Sequence, residues 1–338
     1  PRPPPPAPTT PPPAPPPRAA PPPTPPPPPP PPRGANPRLR VPHLNSHQME
    51  RRLAEATENH GARTAEVLTF SRLGDRVFAE VGGLAQQMLT PAGQLLTLQE
   101  AARRVQGGLS VWGGLADKPE LLRETLRLVD ECKTCAVSPQ MLFDASQESE
   151  DAALSAKLCD LAQLLTAYER LCEQSLPDPR DRLTHLRDRL PESHVLAGAQ
   201  VYLGGFLGFT AQELAVIEAM LAAGVPISAA VTCDTAQPEI FVTGCKTVKT
   251  LTRMAKRHNQ PVERKELGAS RLPRPAGLAA VEAESLLPVR GVHEGVCEGV
   301  RLYAAASPFD ECEHAAAYIR RKVRDEGARY RDFVVTAR

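Results

Sequence analysis

What this chain lacks narrows it first. No continuous apolar run reaches the roughly 18 residues that span a bilayer, and the opening segment has no apolar core of the signal-peptide kind. These lacks exclude a helical membrane protein and make a cytoplasmic location the default expectation. An excess of charge is also missing. The 40 Lys and Arg against 39 Asp and Glu leave a formal net charge of +1, so no global basic field advertises nucleic acid, and any such contact has to be local. The eight cysteines are scattered rather than set at framework spacings. They read as reduced core thiols, and redox chemistry is not indicated.

Acidic residues are absent from residues 1–37, which hold 24 of the 38 prolines together with Arg2, Arg18 and Arg33. Such a segment is expected to be a disordered, extended polyproline II tail, with the folded part beginning near Leu39. The rest of the chain, with regular apolar periodicity, suffices for one large core with a helical insert.

Along that folded part, Leu39–Pro42 is a brief strand candidate, and 48–60 is helical, with Met49, Leu53 and Ala56 on one face. Glu66–Phe70 reads as a strand, and Ser71 as the cap of a helix that carries Leu73, Val77 and Val81 to Gly82 and Gly83. Residues 94–190 then form a helical run without a convincing strand. Its clearest member, about 151–174, repeats Leu154, Leu158, Leu161, Leu165, Tyr168 and Cys172 at steps of four and three, a stripe that packs against other helices. A shorter helix follows over 180–190. Alternation resumes with strand 200–204, helix 211–223, strand 227–232 and helix 245–258. After a polar connection come strand 301–305, a helix over 310–326 burying Ala316, Ile319 and Val323, and a last strand from Asp332 to Thr336. Strands alternating with helices imply an α/β fold on a parallel sheet. A sheet ending on an unpaired strand suggests that the product is truncated. The segments are 1–37 tail, 38–93 and 191–270 the two parts of an α/β domain, 94–190 a helical insertion, and 271–338 a linker and the start of a further α/β segment.

The richest stretch is 201–214, where Val201-Tyr202-Leu203 runs into Gly204-Gly205-Phe206-Leu207-Gly208-Phe209 and then Thr210-Ala211-Gln212-Glu213-Leu214. Thr210 and Glu213 have capping-box spacing. The strand, glycine turn and capped helix have the layout of the edge of a nucleotide-type α/β site.

With these motifs in order, the chain resembles the B subunit of AddAB-type ATP-dependent helicase/nucleases, also called RexB, distant relatives of superfamily 1 helicases. The likeness covers about residues 38–338. It rests on Val41-Pro42 followed by Ser46, Gln48, Glu50 and Arg51, on Thr69-Phe70-Ser71-Arg72-Leu73, on Lys157-Leu158-Cys159-Asp160-Leu161, on Gly205-Phe206 through Glu213, and on Glu313 with Gly327–Asp332. The resemblance implies a P-loop NTPase-like, superfamily 1 helicase-like domain. It implies single-stranded DNA facing Thr69, Phe70, Ser71 and Arg72, and a nucleotide site at Gly204, Gly205, Gln212 and Arg338. It also implies an AddA-type partner subunit, with DNA ends as the substrate of the pair, and work in double-strand break repair and recombination.

Departures from the family pattern limit what carries over. No Gly-x-x-x-x-Gly-Lys-Thr loop precedes the first strand; the tail there has neither N–H donors in its prolines nor a lysine. Gly204 stands where relatives place an aspartate. The nucleotide site is therefore expected to be degenerate, with no catalytic residue and no cofactor in this chain. ATP, Mg²⁺ and an iron–sulfur cluster belong to the intact complex, whose nuclease region and cluster cysteines would lie beyond Arg338.

Other chemistry-bearing residues read as structural. Cys132 and Cys135 form one C-x-x-C pair without a second, and His43/His47 and His293-Glu294/Cys297 lack a full ligand set. The expected function is thus a DNA-guiding scaffold within the B component of an AddAB-type enzyme. The competing reading is a proline-rich interaction module, whose PxxP elements would bind SH3 or WW domains; deleting residues 1–37 separates the two.

Overall fold

The computed structural model describes residues 38–40, 49–51, 54–55, 65–234, 239–267, 274–284 and 297–336. The proline-rich segment 1–37, most of the predicted helix 48–60, His43, His47, His293 and Arg338 lie outside them. The described residues divide into a larger unit, within 38–266, and a C-terminal unit, within 267–336.

Four parallel strands form the sheet of the larger unit: β1 (Arg38–Arg40), β2 (Glu66–Leu68), β3 (Val201–Phe206) and β4 (Ile227–Val231), in the order β2-β1-β3-β4. Side chains alternate across it with the period of two that a pleated strand imposes. Leu68, Val201 and Leu203 enter the main core, while Val67 and Tyr202 face the opposite side against Met49. Both faces are therefore covered at β2 and β3, whereas Ser228, Ala229 and Ala230 of the edge strand β4 are exposed.

The main core is closed by four helices. In α1 (Phe70–Val81), Phe70, Leu73, Val77 and Phe78 are buried at helical spacing; full burial of Leu73 and Val77 contributes about 1.5–3 kcal/mol each. Gly82 and Gly83, at φ 91° and 104°, stop the helix in a backbone region that favours glycine. The helix α6 (Arg182–Arg189), read from sequence as the end of the helical run, packs instead on α1 and on α7 (Ala211–Ala222), with Leu186 and Leu190 in this core. The fourth is α8 (Val242–Arg257), which packs on α7 and β4.

Between β2 and β3 the chain forms α2 (Pro91–Val105), α3 (Pro119–Thr134), α4 (Pro139–Glu148) and α5 (Ala152–Gln174), which enclose a second core. The α5 stripe behaves as its spacing predicts from Leu161 onward: Leu161, Leu165, Tyr168 and Cys172 are buried, whereas Leu154 is exposed. The N-caps follow the chemistry of short polar side chains, with Thr90, Ser138 and Asp151 each accepting from a first-turn N–H.

Three sequence expectations are corrected. The cap of α1 is Thr69, not Ser71: β2 ends at Leu68, Thr69 is already extended, and its Oγ1 accepts from Arg72 N at 3.2 Å. Burial of the Phe70 ring draws that residue into the first turn. In the C-terminal unit, neither 301–305 nor 332–336 is a strand; no described strand offers them a ladder, and unpaired backbone does not hold an extended pair. Its helix α10 (Pro308–Glu326) starts at the Ser307 cap and ends at Gly327 as patterned, but none of its residues is buried, and Ala316 is exposed. The connection before it contains a helix not foreseen, α9 (Ala276–Glu284).

Candidate functional site

Strand register aligns the two turns that the sequence singles out. Arg40, the last residue of β1, pairs with Leu68 on one side and Leu203 on the other. The turn after Leu68, which holds Thr69–Arg72, and the Gly204–Phe209 turn, made of the glycine-bearing end of β3 and the loop after it, therefore lie at the same carboxyl edge of the sheet. The chain goes from β1 to β2 on one side and returns to β3 on the other, so the order β2-β1-β3-β4 reverses between β1 and β3. At such a switch point the connections diverge and leave a crevice, where ligands of open α/β sheets bind.

Within that edge the glycines act through the backbone. Pairing of β3 with β4 shifts register between Leu203 and Phe206, and Gly205 sits at φ 78°, a conformation that a side chain would strain. The irregularity turns Phe206 toward its neighbours. Its ring lies 5.9 Å from Phe70, edge to face, and 4.6 Å from Phe209. The two turns are thus joined by an aromatic cluster whose Phe70 end is buried and whose Phe206 and Phe209 ends are half-buried, with Leu207 standing out at 78% exposure between them. Gly204 differs from Gly205: a Cβ there would meet nothing within 4 Å, so the absence of a carboxylate at this position is not enforced by space.

The polar residues of the edge are placed unevenly. Arg72 projects from the first turn of α1, half exposed, and its Nη1 lies 2.8 Å from Glu50 Oε1. Ser71 is exposed, and Thr69 is held in the cap. Gln212 does not reach the edge; it is nearly buried, and its amide donates to Arg180 O at 2.9 Å and Thr184 Oγ1 at 3.3 Å, fastening α7 to the start of α6. Thr210 and Glu213 complete the capping box that sets the first turn of α7. The residues present do not fit an ATP–magnesium site, because Gly204 offers no carboxylate and the Gln212 amide is engaged elsewhere. Among the described residues no group of three or more His, Cys, Asp or Glu converges as a metal site, and all eight cysteines are free.

A family model described as ADDB, N-terminal, matches residues 32–282. The chain belongs to this family. The B subunit of the ATP-dependent helicase/deoxyribonuclease of Thermoanaerobacter sp. (strain X514) is 29% identical over 309 residues, covering 89% of this chain. The proteins of the same description from Desulforudis audaxviator and Pelotomaculum thermopropionicum are 34% and 32% identical, covering 88% and 89% of it. In each case the chain spans only 27% of the relative's length. No helix among the described residues is long and apolar enough to cross a membrane.

Two elements of this ADDB-type region escaped sequence reasoning. Asp160, which entered the sequence reading only as part of a motif, is buried, and its carboxylate accepts from the backbone N–H groups of Ser110, Val111 and Trp112 and from Ser110 Oγ, at 2.8–3.1 Å. Burial pushes this carboxyl up, but the three N–H bonds outweigh it and hold it below its ordinary value. The Lys157–Leu161 signature therefore clamps the 110–112 turn onto α5. Asp178, fully buried, accepts from Gln94 Nε2, Tyr168 OH and Arg180 N at 2.9 Å each and lies 3.3 Å from Lys133 Nζ, which also reaches Asp181 at 2.6 Å. Burial works against the Lys133 charge, and Asp181 and Asp178 more than offset it, so its pKa is raised. This hub ties α2, α3 and α5 to the start of α6. Asp160 shows in the sequence as a carboxylate within the apolar stripe of α5, whereas Asp178, between Pro177 and Pro179, carries no local sign of its burial.

Proposed function

We propose that this chain is a strand-guiding part of an AddB-type protein, which pairs with an AddA-type partner to process double-strand DNA ends for repair and recombination. Membership of the ADDB N-terminal family and the naming of its relatives as the B subunit of an ATP-dependent helicase/deoxyribonuclease support this reading. The observation that carries it is the joining of the Thr69–Arg72 and Gly204–Phe209 turns at one sheet edge through Phe70, Phe206 and Phe209.

In this reading the sheet is a superfamily 1 helicase-like domain that keeps the strand order of a nucleotide fold and has lost its hydrolytic groups. A single strand crossing the edge meets Arg72 as a phosphate contact, with phosphate replacing Glu50 as its partner. The half-exposed Phe206 and Phe209 rings offer a base an apolar face, a contact worth about 1–3 kcal/mol per base. ATP hydrolysis and strand cleavage belong to the rest of the complex.

The test is binding of the full chain to forked single-stranded/duplex DNA across a salt series, with Arg72→Ala beside it. The expected result is affinity that falls with salt and weakens in Arg72→Ala. Absence of binding at low salt, or binding indifferent to Arg72, overturns the reading.

A further inference from the structure

A second surface of the larger unit carries a local charge that the overall +1 conceals. Helix α8 has Lys246, Lys249, Arg253, Lys256 and Arg257 and no acidic residue along its length. The first four recur at steps of three, four and three, which on a helix place them in one stripe, and all of them are exposed. The opposite face of α8, with Gly244, Thr247 and Met254 buried, is fixed to the body of the unit. Arg257 pairs with Glu218 at 3.0 Å; among the described residues Lys246, Lys249, Arg253 and Lys256 have no carboxylate partner. Four such like charges on one helix face repel one another by a few tenths of a kcal/mol per pair, and a polyanion lying along the stripe relieves that repulsion.

The stripe is also continuous with the sheet edge. Gly244 lies so close to the end of β4 that a Cβ would sit on Thr232 O, and a Cβ at Gly208 would come within 3.0 Å of Thr243 Cγ2. The first turn of α8 thus abuts the Gly204–Phe209 turn, and the stripe leads away from it. Alongside runs an open groove of about 670 Å³, lined by Lys249, Thr252, Arg253 and Lys256 and, across it, by Val262 and Arg264, whose guanidinium lies 3.3 Å from Glu266. Among the described residues no aromatic side chain lines it.

We infer that the Lys246–Lys256 stripe and its groove are a phosphate-backbone track for single-stranded nucleic acid, continuing from the aromatic edge. Ten residues of helix span about 15 Å, long enough to follow consecutive phosphates of one strand. The lack of aromatics makes the contact one of backbone without base stacking, so it is indifferent to sequence. The inference rests on the DNA-guiding reading and adds the path of the strand.

The test compares the full-length wild type, Lys249→Gln/Arg253→Gln/Lys256→Gln and Arg72→Ala in binding fluorescein-labelled oligothymidylate and oligodeoxyadenylate over a salt series. Thermal melting checks that the exposed substitutions leave the fold intact. The triple variant is expected to lower the slope of log affinity against log salt by about 2, from about 0.7 per lost phosphate contact, and equally for both oligonucleotides. An unchanged slope in the triple variant, with Arg72→Ala still weakened, overturns the track alone. Absence of wild-type binding at low salt overturns both the track and the DNA-guiding reading. Labelled polyglutamate binding as tightly, and lost in the same variant, makes the stripe a site for acidic protein and overturns the assignment.

Discussion

Replacing Asp160 by asparagine preserves the side chain's shape and removes its charge and one acceptor oxygen. In the wild type the two oxygens take four bonds, Ser110 N and Oγ on one and Val111 N and Trp112 N on the other. An asparagine oxygen keeps one pair, but its NH₂ then confronts two N–H donors. Hydrogen bonds to a charged group are worth about 1.5–3 kcal/mol each. Because Ser110 and Val111 are exposed, water reaches the freed donors, and the loss falls near the lower end, about 3 kcal/mol for the two. That is a large share of a total stability of about 5–15 kcal/mol. Trp112 is the sole tryptophan, so its emission reports both on this turn and on urea unfolding. The expected outcome is a lower urea midpoint and red-shifted native emission. The carboxyl titrates below its ordinary value, so its contribution is complete above about pH 3.9 and is lost as pH falls through the folded pKa. The wild type should therefore lose stability below about pH 4 through a step that Asp160→Asn lacks. An unchanged midpoint with unchanged emission refutes the clamp.

Three further outcomes follow from single contacts. Asp178→Ala strips partners from Gln94, Tyr168 and the Arg180 N–H while leaving Lys133 only Asp181, and should destabilise by about 3–5 kcal/mol in urea titration; a loss comparable to that of a surface substitution contradicts the hub. Gly244→Ala would place a methyl on Thr232 O, so the start of α8 must shift at about 1–3 kcal/mol; a wild-type melting temperature would show that the close approach is wrong. Thr210→Ala removes half of the capping box of α7 and should lower stability by about 1 kcal/mol, with Thr210→Ser restoring most of it; equal loss in both variants rules out capping as the cause.

Periodicity and capping chemistry made most elements legible in the sequence. The strands at 66–68 and 201–206, helix α1, the α5 stripe and the 211–222 helix bury a face that is written in residue order, and the strand at 227–231 was legible from its apolar run alone. The two failed strands, 301–305 and 332–336, show the converse: a short apolar run becomes a strand only when another strand offers hydrogen bonds, and a single sequence does not say where that partner is. For the same reason the sequence points to Ser71 as the cap of α1, and only the placed end of β2 at Leu68 shows it to be Thr69.

The sequence by itself determined most of the elements, the even charge and the family likeness, because these depend on residue type and near neighbours. Only the tertiary structure decided that Phe70 and Phe206 meet, that Gln212 serves α6 rather than the sheet edge, that Asp160 clamps a turn some 50 residues away, and that four cations of α8 share one exposed face. Those facts come from register, crossover and packing between distant segments, which bring together groups that no local pattern connects.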